Sequence, residues 1–116
     1  MEVLAIAFAV LVIIAFLALR PRPDVSGAEA RDLVRAGAKL VDVRRPDEFS
    51  ASHLPGATNV PLDEIDGRAS ELGAADATII VYCARGVRSA RAAQKLRAKG
   101  FTNVHDLGGL ERWSSS

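Results

Sequence analysis

An unbroken apolar run near the amino terminus is the feature that most constrains how this chain can fold. Val3 to Leu19 holds seventeen residues without a charge or a strongly polar group, which is at the short end of what crosses a bilayer as a helix. A signal peptide usually begins with basic residues and ends in small residues at a cleavage site, but here Glu2 precedes the run and Arg20 follows it. A helix that is apolar on every face is rare at the start of a small soluble domain. We therefore predict a transmembrane helix over residues 1–20, inserted through residues 3–19.

Charges beside the apolar run indicate its orientation. Arg20 and Arg22 follow the run, whereas the acidic Glu2 precedes it. Basic flanks tend to stay in the cytoplasm, so the pattern predicts a single-pass membrane protein whose remaining domain is cytoplasmic. Two prolines make residues 21–25 a stiff, extended linker. Residues 26–116 are then expected to form one domain.

The charge balance and the cysteine content exclude several classes of function. The chain has 116 residues with 15 Lys and Arg against 14 Asp and Glu, for a formal net charge of +1. A nucleic-acid partner usually needs a strong basic excess, so we expect none. Cys83 is the single cysteine, which rules out an internal disulfide, a Cys-x-x-Cys pair and a multi-cysteine zinc site. We expect neither a bound metal nor another cofactor.

Helical and strand patterns alternate through the domain. Ser26 and Glu29 form a capping-box pattern at the start of the first helix, and Pro46 suits the first position of another. The patterns predict helices over residues 26–36, from 46, 66–72 and 89–99, strands over 39–43, 58–61, 78–82 and 103–105, and a helical turn over 110–113. Such alternation indicates an α/β fold with a central, mainly parallel sheet flanked by helices. Ligands bind such sheets beyond the carboxyl ends of the strands.

Cys83 stands where such a site is expected, directly after the most apolar predicted strand. The thiolate is the reactive form of cysteine, and a following helix offers free amide hydrogens and partial positive charge. Arg85 and Arg88 add positive charge, and Gly86 lets the loop fold back so that its amides converge. Six basic residues and no acid occur between residues 84 and 100. A lone cysteine after an apolar strand is more often an inert buried thiol. The local sequence pattern alone does not decide between an inert and a reactive thiol.

Several separate motifs occur together in the order of a known family. The chain resembles a rhodanese-homology domain over nearly all of residues 24–116. The segments that carry the resemblance are Leu40-Val41-Asp42-Val43-Arg44, Glu48-Phe49, His53-Leu54-Pro55-Gly56-Ala57, Cys83 to Ser89, and Leu107-Gly108-Gly109-Leu110-Glu111-Arg112-Trp113. Each motif is weak alone, but together they are specific.

The resemblance implies a rhodanese-like fold and sulfur-transfer chemistry. Cys83 would take sulfur from thiosulfate or another small anionic donor, hold it as a persulfide, and pass it to a thiol or to cyanide. The substrate-binding residues would be those of the loop: Ala84, Arg85, Gly86, Val87, Arg88 and Ser89. In this loop Arg88, with Arg85, would hold the anionic donor. Asp42 and Arg44 would support the loop from the neighbouring strand, although a purely structural role fits them equally well.

Two other motif residues are expected to be structural. His53 lies in a turn, and we interpret it as a hydrogen-bond former rather than a base. Trp113 is expected to pack in the core. The glycine that the family places before the turn histidine is Ser52 here, which is acceptable if that backbone is not left-handed.

Three alternative functions compete with the sulfurtransferase. A cysteine phosphatase or arsenate reductase of similar fold would resemble Cys-x5-Arg, but Arg88 is only five residues after Cys83, and no acid is obviously placed to protonate a leaving group. A binding module without catalysis is disfavoured because Cys83 and Arg88 are both present. A membrane-tethered sulfur carrier with little turnover of free substrates is not separated from the enzyme by the sequence.

Overall fold

An apolar amino-terminal helix precedes an α/β domain in the computed structural model, which describes residues 1–19 and 22–116. Helix α1 spans Glu2–Leu19 and buries none of its residues. It is long and apolar enough to cross a membrane, and a signal sequence near an amino terminus has the same properties. The predicted last residue of the membrane helix, Arg20, and the first of the linker, Pro21, lie outside the described residues.

Four parallel strands form the central sheet, in the order β2-β1-β3-β4. The strands are β1 Lys39–Asp42, β2 Thr58–Asn59, β3 Ile79–Cys83 and β4 Val104–Gly109. The helices are α2 Gly27–Arg35, α3 Pro46–Ala51, α4 Ile65–Arg68 and α5 Val87–Ala98, with 3-10 turns at Leu62–Glu64, Ala69–Leu72 and Leu110–Ser114. The predicted α/β class with a parallel sheet is confirmed.

Local signals account for where most elements begin. Ser26 caps α2, and its side chain and that of Glu29 form the predicted capping box. Pro46 stands in the first turn of α3, where its missing N–H costs nothing. Ser52 has a φ of −169°, which is extended backbone, so the serine in place of the family's glycine causes no strain.

Several predicted elements have different bounds, and β2 covers Thr58–Asn59 rather than 58–61. Residues 66–72 do not form one helix: a short α4 stands between two 3-10 turns, and Gly67 within it weakens a regular helix. Helix α5 begins two residues earlier than predicted because Gly86 adopts a left-handed conformation and ends the loop there. Strand β4 runs on to Gly109 because its pairing with β3 continues beyond a bulge opposite Val81 and Tyr82.

Strand β3 forms the centre of the hydrophobic core, and all five of its residues are buried. Side chains alternate between the two faces of a strand. Ile79, Val81 and Cys83 pack on the side of α4 and α5. Ile80 and Tyr82 pack on the side of α2, where Trp113 also packs as predicted. Because both faces of β3 are covered, the position of its last residue, Cys83, is fixed.

A buried carboxylate ties the carboxyl end of β1 to its neighbours. Asp42 is fully buried and accepts hydrogen bonds from the Arg44 guanidinium at 2.8 Å and from the Tyr82 hydroxyl at 2.7 Å. Arg44 also donates to the Ser52 carbonyl at 2.7 Å, and the Tyr82 hydroxyl accepts from the Leu54 amide at 3.1 Å. This network joins β1, β3 and the turn after α3.

Removing the buried carboxylate should destabilise the fold strongly. An Asp42→Ala change leaves Arg44 charged, buried and without its main acceptor, and breaking such a pair costs about 3–5 kcal/mol. Tyr82→Phe removes a hydroxyl that donates to Asp42 and accepts from the Leu54 amide, and should cost less, about 2 kcal/mol. Urea unfolding of the full chain in detergent micelles measures both values. Equal losses for the two variants would contradict a central role for the carboxylate.

Candidate active site

The sulfur of Cys83 lies at the end of β3, where two backbone amides point at it. The Gly86 amide donates to Sγ at 2.9 Å and the Ser89 amide at 3.3 Å. Gly86 has a φ of +101°, a conformation that side-chain-bearing residues rarely adopt. This left-handed residue turns the chain back over the sulfur and directly starts α5. The first turn of the helix and the loop therefore present positive partial charge to Sγ.

Ser89 is fully buried behind the sulfur. Its Oγ lies 3.5 Å from Sγ and donates to the Gly86 carbonyl at 3.1 Å. Nearby on β4, burial raises the pKa of the Asp106 carboxyl. The Ser89 hydroxyl thus links the cysteine to the loop.

An open pocket of about 370 Å³ gives access to the sulfur. Its lining comprises Glu48, Cys83, Ala84, Arg85, Val87 and Arg88. Cys83 is only 1% exposed, so it forms the floor of this pocket. Arg85 and Val87 are exposed at the mouth.

Arg88 reaches the pocket, but it is already paired with a carboxylate. Its two terminal nitrogens donate to the two carboxylate oxygens of Glu48 at 2.7 and 3.1 Å. The Arg45 amide also donates to Glu48, at 3.1 Å. The hydrogen bond from Arg88, helped by that from Arg45, lowers the pKa of Glu48 from 4.5 to about 2. Much of the charge of Arg88 is therefore neutralised within the protein.

Arg85 differs from Arg88 in having no such partner. Within residues 1–19 and 22–116, it makes no side-chain hydrogen bond or ion pair. It is exposed at the pocket mouth, where its charge is available to a ligand.

Asp42 and Arg44 lie at the carboxyl end of β1, the strand beside β3, rather than against the active-site loop. Their polar contacts go to each other, to the turn after α3 and, through Asp42, to Tyr82. Burial raises the pKa of Tyr82 above its usual range, which keeps its hydroxyl protonated as a donor to Asp42. Glu48 is the residue near β1 that hydrogen-bonds directly to the active-site loop, through Arg88.

Sequence reasoning missed the roles of Glu48, Tyr82 and the Ser89 hydroxyl. Glu48 was recognised as part of a motif, but an acid forty residues from Arg88 offers no local sign of pairing with it. His53 makes the hydrogen bond expected of it: its Nδ1 lies 2.8 Å from the Phe49 carbonyl, and its ring stacks on that of Phe49. In the described part of the chain, no cluster of three or more His, Cys, Asp or Glu residues could hold a metal.

The low pKa of Glu48 makes its ion pair sensitive to acid. A carboxyl whose pKa is lower in the folded state than in the unfolded state stabilises the fold above the unfolded value. The stability from Glu48 should therefore be fully present above pH 4.5 and disappear as the pH falls towards about 2. Urea midpoints of the wild type and Glu48→Gln, measured over this range, should converge.

The matched control is Glu64→Gln. Glu64 forms an exposed ion pair with Arg68, and exposed pairs contribute little. A wild-type to Glu48→Gln difference that stays constant down to pH 2 would contradict the ion-pair assignment.

Comparisons with known proteins agree with this geometry. The model of the rhodanese-like domain family matches residues 26–116. The uncharacterised protein YqhL of Bacillus subtilis strain 168 is 45% identical over 68% of this chain and 65% of its own length. Thiosulfate sulfurtransferase 16, chloroplastic, of Arabidopsis thaliana is 39% identical over 80% of this chain and 88% of its own.

A solved structure has the same fold. The human single-domain sulfurtransferase TSTD1 superposes with a TM-score of 0.70 and 29% identity, covering 80% of this chain and 95% of that one. The family match spans the whole sheet and the pocket around Cys83. On the fold, the pocket and these matches, the chain belongs to the rhodanese-like domain family.

Proposed function

We propose that this protein is a sulfurtransferase that carries sulfur as a persulfide on Cys83. The observation that carries the proposal is the pair of amides, from Gly86 and Ser89, that donate to Sγ on the floor of an open pocket. Donors fixed in this way stabilise negative charge on sulfur without reorganising. They suit both a thiolate and the persulfide anion formed from it.

The first half-reaction loads the sulfur. The Cys83 thiolate attacks the outer sulfur of thiosulfate, or of another sulfane donor, and forms a new S–S bond. The donor's own S–S bond breaks, and sulfite leaves with the bonding electron pair. Cys83 is left as a persulfide anion, so charge and electrons balance without an external oxidant.

The second half-reaction transfers the sulfur from Cys83 to an acceptor. An acceptor thiolate or cyanide attacks the terminal sulfur, and the electron pair of the S–S bond returns to Cys83 as a thiolate. The products are a new persulfide or thiocyanate. Since the pocket is open and only its floor is buried, small acceptors and an exposed thiol of a partner protein both have access.

Arg85 is the proposed contact for an anionic donor. It is exposed at the mouth without a partner in the described residues, whereas Glu48 neutralises Arg88. We assign Arg88 the task of holding the loop against α3 through Glu48. Asp42 and Arg44 support the loop indirectly, because Asp42 holds Tyr82, the residue before Cys83.

We further propose that residues 3–19 anchor the protein in a membrane with the domain on the cytoplasmic side. Helix α1 is apolar throughout and packs none of its side chains into the domain. In water these side chains would form one large exposed patch, whereas hydrocarbon accepts them at no cost. The arginines that follow favour the cytoplasmic side for the domain.

Intact mass of the full chain, purified from membranes, tests both proposals. Incubation with thiosulfate should add the mass of one sulfur atom, and a thiol reductant should remove it. Cys83→Ser should fold normally and show no gain. The same spectrum should show residues 1–19 retained. Sulfur gain in Cys83→Ser would overturn the assignment, and loss of the amino-terminal segment would identify it as a signal sequence.

The two arginines should differ in their kinetic effects. Arg85→Ala removes an exposed charge from the mouth, so we expect a KM for thiosulfate raised several-fold with kcat nearly unchanged. Arg88→Ala leaves Glu48 unpaired and loosens the loop, so kcat and the unfolding midpoint should both fall. Steady-state rates over a range of thiosulfate concentrations separate the two. An unchanged KM in Arg85→Ala would contradict its proposed role.

A further inference from the structure

We infer that the rim of the Cys83 pocket lies against the anionic headgroup layer of the membrane that holds α1. This inference rests on the proposed membrane attachment and identifies the surface that the site faces. The rim is defined here as Arg85 and Val87 at the pocket mouth, together with Arg22 and Gln94 on the adjoining surface.

The chain that leaves α1 joins the domain directly beside the pocket. The Asp24 amide donates to the Asp106 carbonyl at 2.8 Å, and the Asp24 carboxylate accepts from the Asp106 amide at 3.0 Å. These bonds fix residue 24 on β4, the edge strand of the sheet. The linker therefore enters at β4, next to the strand that carries Cys83.

Residues close together in space lead from this entry point to the sulfur. Pro23 Cβ lies 3.4 Å from where a Cβ on Gly108 would stand, and the Gly108 Cα lies 3.6 Å from the corresponding position on Gly86. The Gly86 amide in turn donates to Sγ of Cys83. Pro23 of the linker and Gly86 of the active-site loop thus both lie close to Gly108.

The linker is too short to hold the pocket far from the bilayer. Four residues separate Leu19, at the end of α1, from Asp24. Five backbone steps of about 3.5 Å span at most about 17 Å when fully extended. The headgroup layer itself extends about 5–8 Å beyond the hydrocarbon on each side. A pocket beside residue 23 is consequently held at the headgroups or just above them.

The surface at this point has the composition of a membrane-contacting face. Val87 is 62% exposed and, within residues 22–116, is the one large hydrophobic side chain so exposed. Gln94 lies seven residues further along α5 and therefore on the same helical face. Arg22 and Arg85 are both exposed and make no side-chain ion pair within residues 1–19 and 22–116.

Charge makes an anionic bilayer the complementary surface. The cytoplasmic leaflet carries a negative surface potential that attracts basic residues beside a membrane helix, at about 1 kcal/mol for each. Three acids stand near the rim. Glu48, which lines the same pocket, is paired with Arg88. Asp24 is paired with Arg97, and Glu111 folds its carboxylate back over Gly109. The net charge offered by the rim is positive.

The consequence for function is that reactants would reach Cys83 along the membrane surface. A sulfur donor or acceptor thiol carried by another membrane-bound protein would meet the pocket without crossing bulk solvent. Small anions such as thiosulfate would approach against the surface potential.

Depth-dependent quenching in vesicles tests the geometry. The full chain carrying Cys83→Ser and Val87→Cys is labelled with a fluorophore at the new thiol and reconstituted into vesicles with a nitroxide on the lipid headgroups. The matched control is Ala75→Cys in the same background, an exposed position in the turn before the amino end of β3. We expect quenching to be several-fold stronger at position 87 than at position 75. Gln94→Cys provides a second rim position should the label at 87 disturb the fold.

Lipid charge separates docking from simple tethering. Quenching at position 87 should be stronger in vesicles of phosphatidylcholine with phosphatidylglycerol than in phosphatidylcholine alone, and Arg85→Glu should remove this difference. Equal quenching at positions 75 and 87, or no dependence on lipid charge, would overturn the inference. A chain that does not float with the vesicles would overturn it as well. Persulfide formation on the wild-type chain is read separately by mass, so a failure of the sulfur chemistry is distinguishable.

Discussion

Two backbone hydrogen bonds to one sulfur atom set the main constraint on this structure. For the Gly86 and Ser89 amides to converge on Sγ, Cys83 must end a strand that cannot shift, and the loop must reverse within three residues. The first condition is met because both faces of β3 are buried. The second is met by the left-handed glycine, which begins α5 immediately. The core, the loop and α5 thus act together to hold the two amides against the sulfur.

The two arginines of the active-site loop have different electrostatic environments, which their positions in the sequence do not indicate. Glu48 takes both terminal nitrogens of Arg88, so this arginine supports the loop and Arg85 remains as the available cation. Such a division is physically reasonable, because an arginine that also had to position the loop could not move to follow a ligand. A structural ion pair and a mobile exposed charge can be separated only if they use different residues.

The point at which the linker joins the domain matters if α1 anchors the chain as proposed. Asp24 is fixed to β4, and Pro23 lies against the same glycine that backs the active-site loop. With the proposed membrane attachment, a short linker that joins at this point would set the direction in which the pocket opens and its height above the bilayer. The same domain joined through its far edge would present Cys83 to bulk solvent.

Local sequence patterns predict much of this architecture. The apolar run of α1, the capping box of Ser26, the alternation of helix and strand, and the order strand, Cys83, glycine, helix all follow from residues close together in the chain. Those patterns determine the fold class and the position of the sulfur, because backbone preferences and hydrophobic periodicity act over a few residues. The bounds of α4 and β4 escaped prediction, since a glycine and a bulge decided them through sheet pairing and packing.

Contacts between distant parts of the chain were decided by tertiary structure alone. Glu48 meets Arg88 across forty residues, and Tyr82 meets Asp42 across the same distance. The linker reaches the pocket only because β4 lies beside β3. The sequence by itself determined which residue is proposed to carry the chemistry and what kind of fold surrounds it. The order of the strands in the sheet decides which arginine is free to bind a ligand and which way the pocket faces. Local periodicity in the sequence does not predict that order.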